Sequence, residues 1–502
     1  MKISLPKLIF MGAMGFCSIA SQAQLQQQTI TLDNPENEPR PVHPLPHPRQ
    51  VMWQETEFYA FFHFGMNTFT NREWGNGGES ESTFAPTSVP NPRQWLETIK
   101  EGGMNGGIAV VKHHDGFCLW PTATTTHCVS SSSSANAQNT NIPRDFAAAA
   151  KDLGLKYGFY VSPWDCSSQY WGDGTTNYLD KVFLPQCEEL AKYGSDQFEM
   201  WFDGASGGQA YYGGSSLTTR SIDPDVYYDM PNLRDKMHKI APNMVMWGLG
   251  GEARWIGNEL GWAGETCWSM GDGEYGDENG WKWHPGESDA RATSAGWFWH
   301  SGESVKSVDG DDGLWNIYLK TVGRNATLIL NFPPDCTGAL PSATVNRIKE
   351  FGAALRDRLG TDYAPNAAIT ASETRADGQT RTYAASNMID GDKTTYWAPN
   401  DGTTAATITL TWDTPQQLRY VTLMEYITLG QRVKAFNIEV SADGVNFESA
   451  ATGVQTTTIG YKRIIPLDGN ITSKASAKTC KAIRINITDA KDCPLFHTVS
   501  CY

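Results

Sequence analysis

The feature that most restricts what this chain can fold into is an alternation that starts near residue 55. A short, continuously apolar run is followed, again and again, by an amphipathic stretch of helical length. "FYAFFHFG" gives way to "NPRQWLETIKEGGM", "GGIAVVKHHDGF" to "DFAAAAKDLGLKYG", and "YGFYVSPWD" to "YLDKVFLPQCEELAKYG". "DQFEMWFDGASGG" then precedes "MPNLRDKMHKIAP", and "NMVMWGLGG" follows. "ATLILNFPPD" and "SATVNRIKEFGAAL" close the series. Strands without polar alternation are buried on both faces, and helices between them imply a parallel sheet. Repeated over roughly 310 residues, the pattern predicts a (β/α)8-like TIM barrel. Residues 250–315 are irregular and rich in Gly and Trp, so one or two barrel units are expected to be degenerate there. A doubly wound open sheet is the competing fold, but no GxGxxG nucleotide turn supports it. Asn91 followed by Pro92 marks one helix start, and Asp145 is read as the cap of another.

After about residue 362 the pattern changes to Thr-rich alternation of apolar and polar residues with Asp-Gly turns, as in "TITLTWDTPQQLRYVTL" and "FNIEVSADGVNFESAAT". That predicts an antiparallel β-sandwich. The expected organisation is a catalytic barrel over 24–362 and a sandwich over 363–502. Ahead of both, "MKISLPKLIFMGAMGFCSIASQAQ" has two Lys, a short apolar core and a small-residue end. It reads as a signal peptide over 1–23, implying a periplasmic or secreted product. No later run is long enough for a membrane span.

Charge and aromatic content narrow the partners. A formal net charge of −15 without a Lys/Arg cluster argues against nucleic acid as partner. Eighteen Trp residues lean towards carbohydrate, whose C–H faces stack on aromatic rings. The nine cysteines after residue 23 contain no CxxC pair, which argues against a zinc ribbon. Cys118–Cys128 and Cys493–Cys501 are the local candidates for disulfides.

Each of the first four strands finishes on chemically useful residues. The first brings His63 and, in the next segment, Glu73 and Trp74. The second brings His113, His114 and Asp115, the third Tyr160, Trp164 and Asp165, and the fourth Asp203. In a parallel barrel those ends surround one site. Taken singly, His63 would more often be a satisfied core histidine and Asp203 a turn-forming residue. Four consecutive strands with this property make a shared pocket the better reading. Adjacent His113 and His114 should point to opposite faces of a strand, and no HxH or HExxH spacing supports a catalytic metal. Glu199 shares strand parity with Asp203 but lies deeper, as a paired structural carboxylate would. Glycosidic cleavage takes two carboxylates. Asp203 can be one, and Glu252, Glu259 and Glu265 in "GGEARWIGNELGWAGETCWSMGD" are candidates for the other.

Five separated motifs carry a family resemblance: "HFGMNTFTNREWG", "VVKHHDGFCLWPT", "YVSPWD", "MWFDG" and "RWIGNE". In this order they resemble the α-L-fucosidases of glycoside hydrolase family 29, over roughly residues 45–360. "NREWG" and the compact "RWIGNE" resemble the subgroup that prefers α-1,3/1,4-linked fucose on branched, Lewis-type glycans. The resemblance implies a retaining mechanism with Asp203 as nucleophile and Glu259 as acid/base, Glu265 being the runner-up. It also implies that His63, Glu73, Trp74, His113, His114, Trp164 and Arg254 hold the fucose ring, with Trp297 packing near its C5-methyl group. No cofactor is implied for catalysis, and fucosylated glycans are the implied partners. "ASNMIDGDKTTYWAPN" resembles the discoidin-like family 32 carbohydrate-binding modules, which often carry a structural calcium. Asp390 and Asp392 are the candidate ligands. Two rivals stay open: an inactive barrel that binds carbohydrate, and a different retaining exo-glycosidase, since a barrel does not fix its substrate.

Overall fold

The computed structural model describes residues 34–194 and 196–502, so the expected signal peptide at 1–23 lies outside the described residues. Eight parallel strands form one sheet: β1 (Phe58–Phe62), β2 (Gly106–Lys112), β3 (Lys156–Val161), β4 (Glu199–Phe202), β7 (Val245–Gly248), β8 (Arg254–Trp255), β9 (Gly286–Arg291) and β10 (Thr327–Asn331). Their order is β7-β4-β3-β2-β1-β10-β9-β8. A parallel bridge between Trp247 and Ala253 brings the two edges together, so the sheet is nearly a closed barrel. A small hairpin, β5 (Gly207–Ala210) and β6 (Thr218–Ser221), stands outside it, directly after the fourth strand.

The sequence pattern explains these elements. Every residue of β1, β2, β4 and β10 is buried, as apolar strand interiors require, with the polar Lys112, Glu199, Thr327 and Asn331 at strand ends. Phe61, Tyr160, Trp201 and Trp247 belong to an aromatic cluster inside the barrel, while Phe62, Val111 and Phe159 face the helical layer. Helix Pro92–Glu101 starts as predicted, with the Asn91 side chain accepting from Gln94 N. Helix Ile142–Leu153 is capped by Asn141, not Asp145, which lies in its first turn. The expected degeneracy is real: β8 has two residues, and no long helix intervenes before Leu314–Thr321.

The last barrel helix, Ser342–Leu359, is followed by the sandwich. One sheet has the order β11-β12-β17-β14-β15 (Ala368–Ala371, Ala406–Leu418, Lys478–Ala490, Val433–Ser441, Glu448–Ser449). The other has β16-β13-β18 (Arg463–Pro466, Tyr420–Glu425, Phe496–Cys501). Leu410, Leu423, Ile438, Ile485 and Val499 belong to the core cluster these sheets share. The sandwich also grips the barrel loop after β8. Thr458 Oγ1 accepts from Cys267 N at 2.7 Å, and Gln431 Oε1 accepts from Ser269 N at 2.7 Å. Residues 34–38 and 377–381 form a separate small unit, in which Glu36 accepts from Thr380 and Arg381 main-chain N–H groups.

The two expected disulfides are absent. All nine described cysteines are free thiols. Cys118 instead lies 3.4 Å from the Gln186 amide, and Cys493 lies 3.3 Å from Arg432 Nη1. Cys501 faces the sandwich core on a different element. Among the described residues, no helix is long and apolar enough to cross a membrane.

Candidate active site

At the C-terminal mouth of the barrel lies a cavity of about 160 Å³, lined by Phe61, His63, Trp74, His113, His114, Tyr160, Trp201, Asp203, Glu259, Asp289 and Trp297. A wider lobe of about 400 Å³ shares Trp201, Asp203, Glu259 and Asp289 with it and adds Trp247, Leu249 and Trp255. The carboxylates therefore stand where a histidine-rich lobe meets an apolar, Trp-rich one. No Lys or Arg lines either.

Asp203 both closes a turn and lines the cavity. Its Oδ1 accepts from Ala205 N at 3.0 Å and so closes the turn after β4. Its Oδ2 accepts from Tyr160 Oη at 3.2 Å and faces His114 Nε2 at 3.7 Å. Of the three candidate partners, Glu259 alone lines the cavity, and its Oε2 accepts from Trp297 Nε1 at 3.3 Å. Glu252 is bound by Arg49, His238 and Met246 N, at 2.9, 3.1 and 2.9 Å. Glu265 pairs with Arg324 at 3.2 Å.

Two histidines present acceptors to the cavity, and the surrounding network shows why. The Ser162 hydroxyl spends its proton on Trp164 O at 2.6 Å, so His114 Nδ1 must donate to Ser162 Oγ, 2.7 Å away. Asn331 Nδ2 donates to Trp297 O, which turns Asn331 Oδ1 towards His63 Nδ1 at 2.8 Å. Each ring then carries its hydrogen on Nδ1 and a lone pair on Nε2. Burial pushes His63 down to about 3 and lowers His113 and His114 as well; Asp203 partly opposes this at His114. Neutral rings of this kind suit hydroxyl groups better than anions.

His113 and His114 both line the cavity, against the expectation from strand alternation. The cause is that β2 ends at Lys112, so His113 and His114 lie in the turn beyond it, where strand alternation no longer applies. Behind them, buried Lys112 and Asp165 form an ion pair at 2.8 Å, with Tyr178 and Gln186 completing the Lys112 partners.

Three predicted sugar contacts lie elsewhere. Glu73 stands one layer out, its two oxygens taken by His300 Nε2 and Trp297 N at 2.7 Å each. Trp164 supports Trp74 and His114 from behind, at ring distances of 5.6 and 5.1 Å. Arg254 points away from the cavity. Its guanidinium binds the carbonyls of Gly273, His284 and Trp268, holding together the long loop after β8. The next residue, Trp255, takes the lining position because neighbours on a strand face opposite ways. Asp390 and Asp392 lie far along the chain on an exposed turn of the sandwich. Asp390 Oδ2 lies 2.7 Å and the Asp392 main-chain O 3.0 Å from Thr395 Oγ1.

Asp289 was missed by sequence reasoning. It sits on β9, whose sequence "GESDAR" gives no apolar signal, yet Glu287, Ser288 and Asp289 are all buried. Trp255 Nε1 donates to Asp289 Oδ1 at 2.8 Å, and burial raises the Asp289 carboxyl well above its usual range. Below it, Glu287 accepts from Trp201 Nε1 at 2.7 Å and from Tyr59 Oη; burial pushes it up to about 7. Glu199 is the buried structural carboxylate expected, accepting from Trp53 Nε1 at 2.9 Å.

The Alpha-L-fucosidase family model matches residues 47–358, and the F5/8 type C domain model matches residues 368–496. "Alpha-L-fucosidase 1" of Arabidopsis thaliana is 32% identical over 97% of this chain and 92% of its own length. The crystal structure of a glycoside hydrolase 29 family member from an unknown rumen bacterium superposes with a TM-score of 0.76 at 32% identity, covering 93% of this chain and 78% of that one. A Ruminococcus gnavus GH29 fucosidase in complex with fucose gives a TM-score of 0.77 at 28% identity, covering 95% and 97%.

Proposed function

The chain belongs to the α-L-fucosidase family, glycoside hydrolase family 29, and from that premise we propose how it cleaves its substrate and which linkages it takes. Asp203 attacks the anomeric carbon of terminal α-L-fucose while Glu259 gives its proton to the departing oxygen, which leaves a β-linked fucosyl ester on Asp203. Glu259, now a base, takes a proton from water, and that water displaces Asp203 with net retention of configuration. The observation that carries this reading is that Asp203 and Glu259 are two of the three carboxylates shared by both lobes, while the third, Asp289, is buried and held by Trp255 Nε1. The acceptor nitrogens of His63 and His114 suit fucose hydroxyls, and Tyr160 orients Asp203. The test is Asp203→Ala with added azide. Turnover of aryl α-L-fucoside should vanish and return in part, with β-L-fucosyl azide as product. Near-normal hydrolysis by the variant would sink the assignment.

For linkage, we take α-1,3/1,4-linked fucose on branched, Lewis-type glycans as the preferred substrate. The "NREWG" and "RWIGNE" motifs support this, and the lobe of about 400 Å³ beside the carboxylates leaves room for a branched leaving group. A Lewis-type trisaccharide should be hydrolysed much faster than 2′-fucosyllactose; equal rates would refute the preference. A structural calcium is proposed at the turn that carries Asp390 and Asp392, supported by the likeness of "ASNMIDGDKTTYWAPN" to the discoidin-like modules. Export is proposed from residues 1–23, and N-terminal sequencing of the cell-derived protein should then begin at Gln24.

A further inference from the structure

Trp297 occupies an unusual position in the hydrogen-bond network around the cavity. Its main-chain N–H donates to Glu73 Oε2 at 2.7 Å, and its main-chain carbonyl accepts from Asn331 Nδ2 at 2.7 Å. The Glu73 carboxylate is itself fixed, because its other oxygen meets His300 Nε2 at 2.7 Å while His300 Nδ1 meets Asn71 Oδ1 at 2.6 Å. Asn331 is held in turn by His63. Residue 296 must be glycine for this to exist, since a Cβ there would collide with the Glu73 carboxylate. The Trp297 ring lies 5.0 Å from the His63 ring, which fixes its plane, and its Nε1 reaches Glu259 Oε2 at 3.3 Å. Glu259 otherwise sits on an exposed, irregular loop, where a carboxylate would sample several rotamers.

We propose that Trp297 is the positioning residue of Glu259, with Glu73 and His300 as the clamp that aims it. The role differs from sugar packing, and His300 enters the site solely through this clamp. The inference rests on the reading of Glu259 as the acid/base. The indole hydrogen bond fixes the direction of the Glu259 carboxylate for both of its tasks, donation to the leaving oxygen and then removal of water's proton.

The variant Trp297→Phe keeps a ring against His63 and removes the N–H. The informative quantity is the ratio of kcat/KM for the glycan to kcat/KM for an aryl fucoside with an activated leaving group. That ratio cancels any change in how fucose itself is held. Trp297→Phe should lower it by roughly tenfold to a hundredfold, the span of one hydrogen bond to a charged group. His300→Ala, which touches no cavity atom, should reproduce the same signature more weakly.

Glu259→Gln is measured alongside. If it lowers the ratio and Trp297→Phe does not, the positioning role is refuted while the mechanism stands. If Glu259→Gln leaves the ratio unchanged, the acid/base reading itself has failed. Equal losses on both substrates in Trp297→Phe would reduce Trp297 to sugar packing.

Discussion

The choice between Glu259 and Glu265 can be made by two isosteric substitutions with opposite expected consequences. Glu259 is exposed at the cavity, and its one described hydrogen bond, from Trp297 at 3.3 Å, survives in a glutamine. Glu259→Gln should therefore shift unfolding free energy by no more than about 0.5 kcal/mol. Its kinetic cost should be large, since general acid–base assistance is worth roughly 10²–10⁴ in rate, or about 3–5 kcal/mol of barrier. Nearly all of that loss should fall on glycans, whose leaving oxygen needs a proton. An activated aryl fucoside should still form the intermediate, give a burst, and stall before water attacks. Azide should relieve the stall and give α-L-fucosyl azide, the retained product. Glu265 behaves differently. Its partner Arg324 keeps a 2.9 Å bond to Ala263 O, and the pair is partly open, with side-chain exposures of 26% and 11%. After discounting for solvent screening, Glu265→Gln should cost about 1 kcal/mol of stability and leave both rates near normal. Chemical denaturation and the two kcat/KM values measure everything required. Leaving-group dependence in Glu265→Gln, or uniform losses in Glu259→Gln, would refute the reasoning.

Three further outcomes are expected. Lys112→Met should destabilise the barrel by about 3–5 kcal/mol, because it strands buried Asp165 without its countercharge; Lys112→Met combined with Asp165→Asn should recover part of this in denaturant titrations. Folded Glu287 keeps its proton to about pH 7, whereas an unfolded carboxyl releases it near 4.5. Its contribution to stability is thus fully present below about 4.5 and lost as pH rises to about 7. Glu199 beside it, Asp289 above it and Glu425 in the sandwich are raised by burial too and add the same sign, so the decisive measurement is whether Glu287→Gln flattens the slope relative to the parent. Finally, calcium should raise the melting temperature of EDTA-treated protein, and Asp390→Ala should abolish the rise; a rise that survives Asp390→Ala removes the proposed site.

Much of this molecule could be read in the chain because buried parallel strands leave no choice of pattern. Phe58–Phe62, Gly106–Lys112 and Thr327–Asn331 are covered on both faces, so their interiors had to be apolar runs, with polar residues confined to their ends. The barrel's chemistry then had to sit at their ends, which placed His63, His113, His114 and Asp203 together before any coordinates. Strand β9 escaped because it buries Glu287 and Asp289 inside the barrel, where indole and phenol donors from Trp201, Trp255 and Tyr59 satisfy them. Polar residues with distant partners leave no local signal.

What the sequence determined by itself was the barrel, the sandwich and the ring of strand ends, since burial imposes a period that can be counted. What only the tertiary structure decided was direction. The end of β2 at Lys112 left His113 and His114 in a turn where both line one cavity, and a two-residue strand sent Arg254 outward and Trp255 inward. Glu252, Glu259 and Glu265 lie on a stretch without period, whose path is set by contacts more than 150 residues away in the chain, from Gln431 and Thr458. Such contacts exist only once the chain has folded, and they leave Glu259 alone of the three facing Asp203.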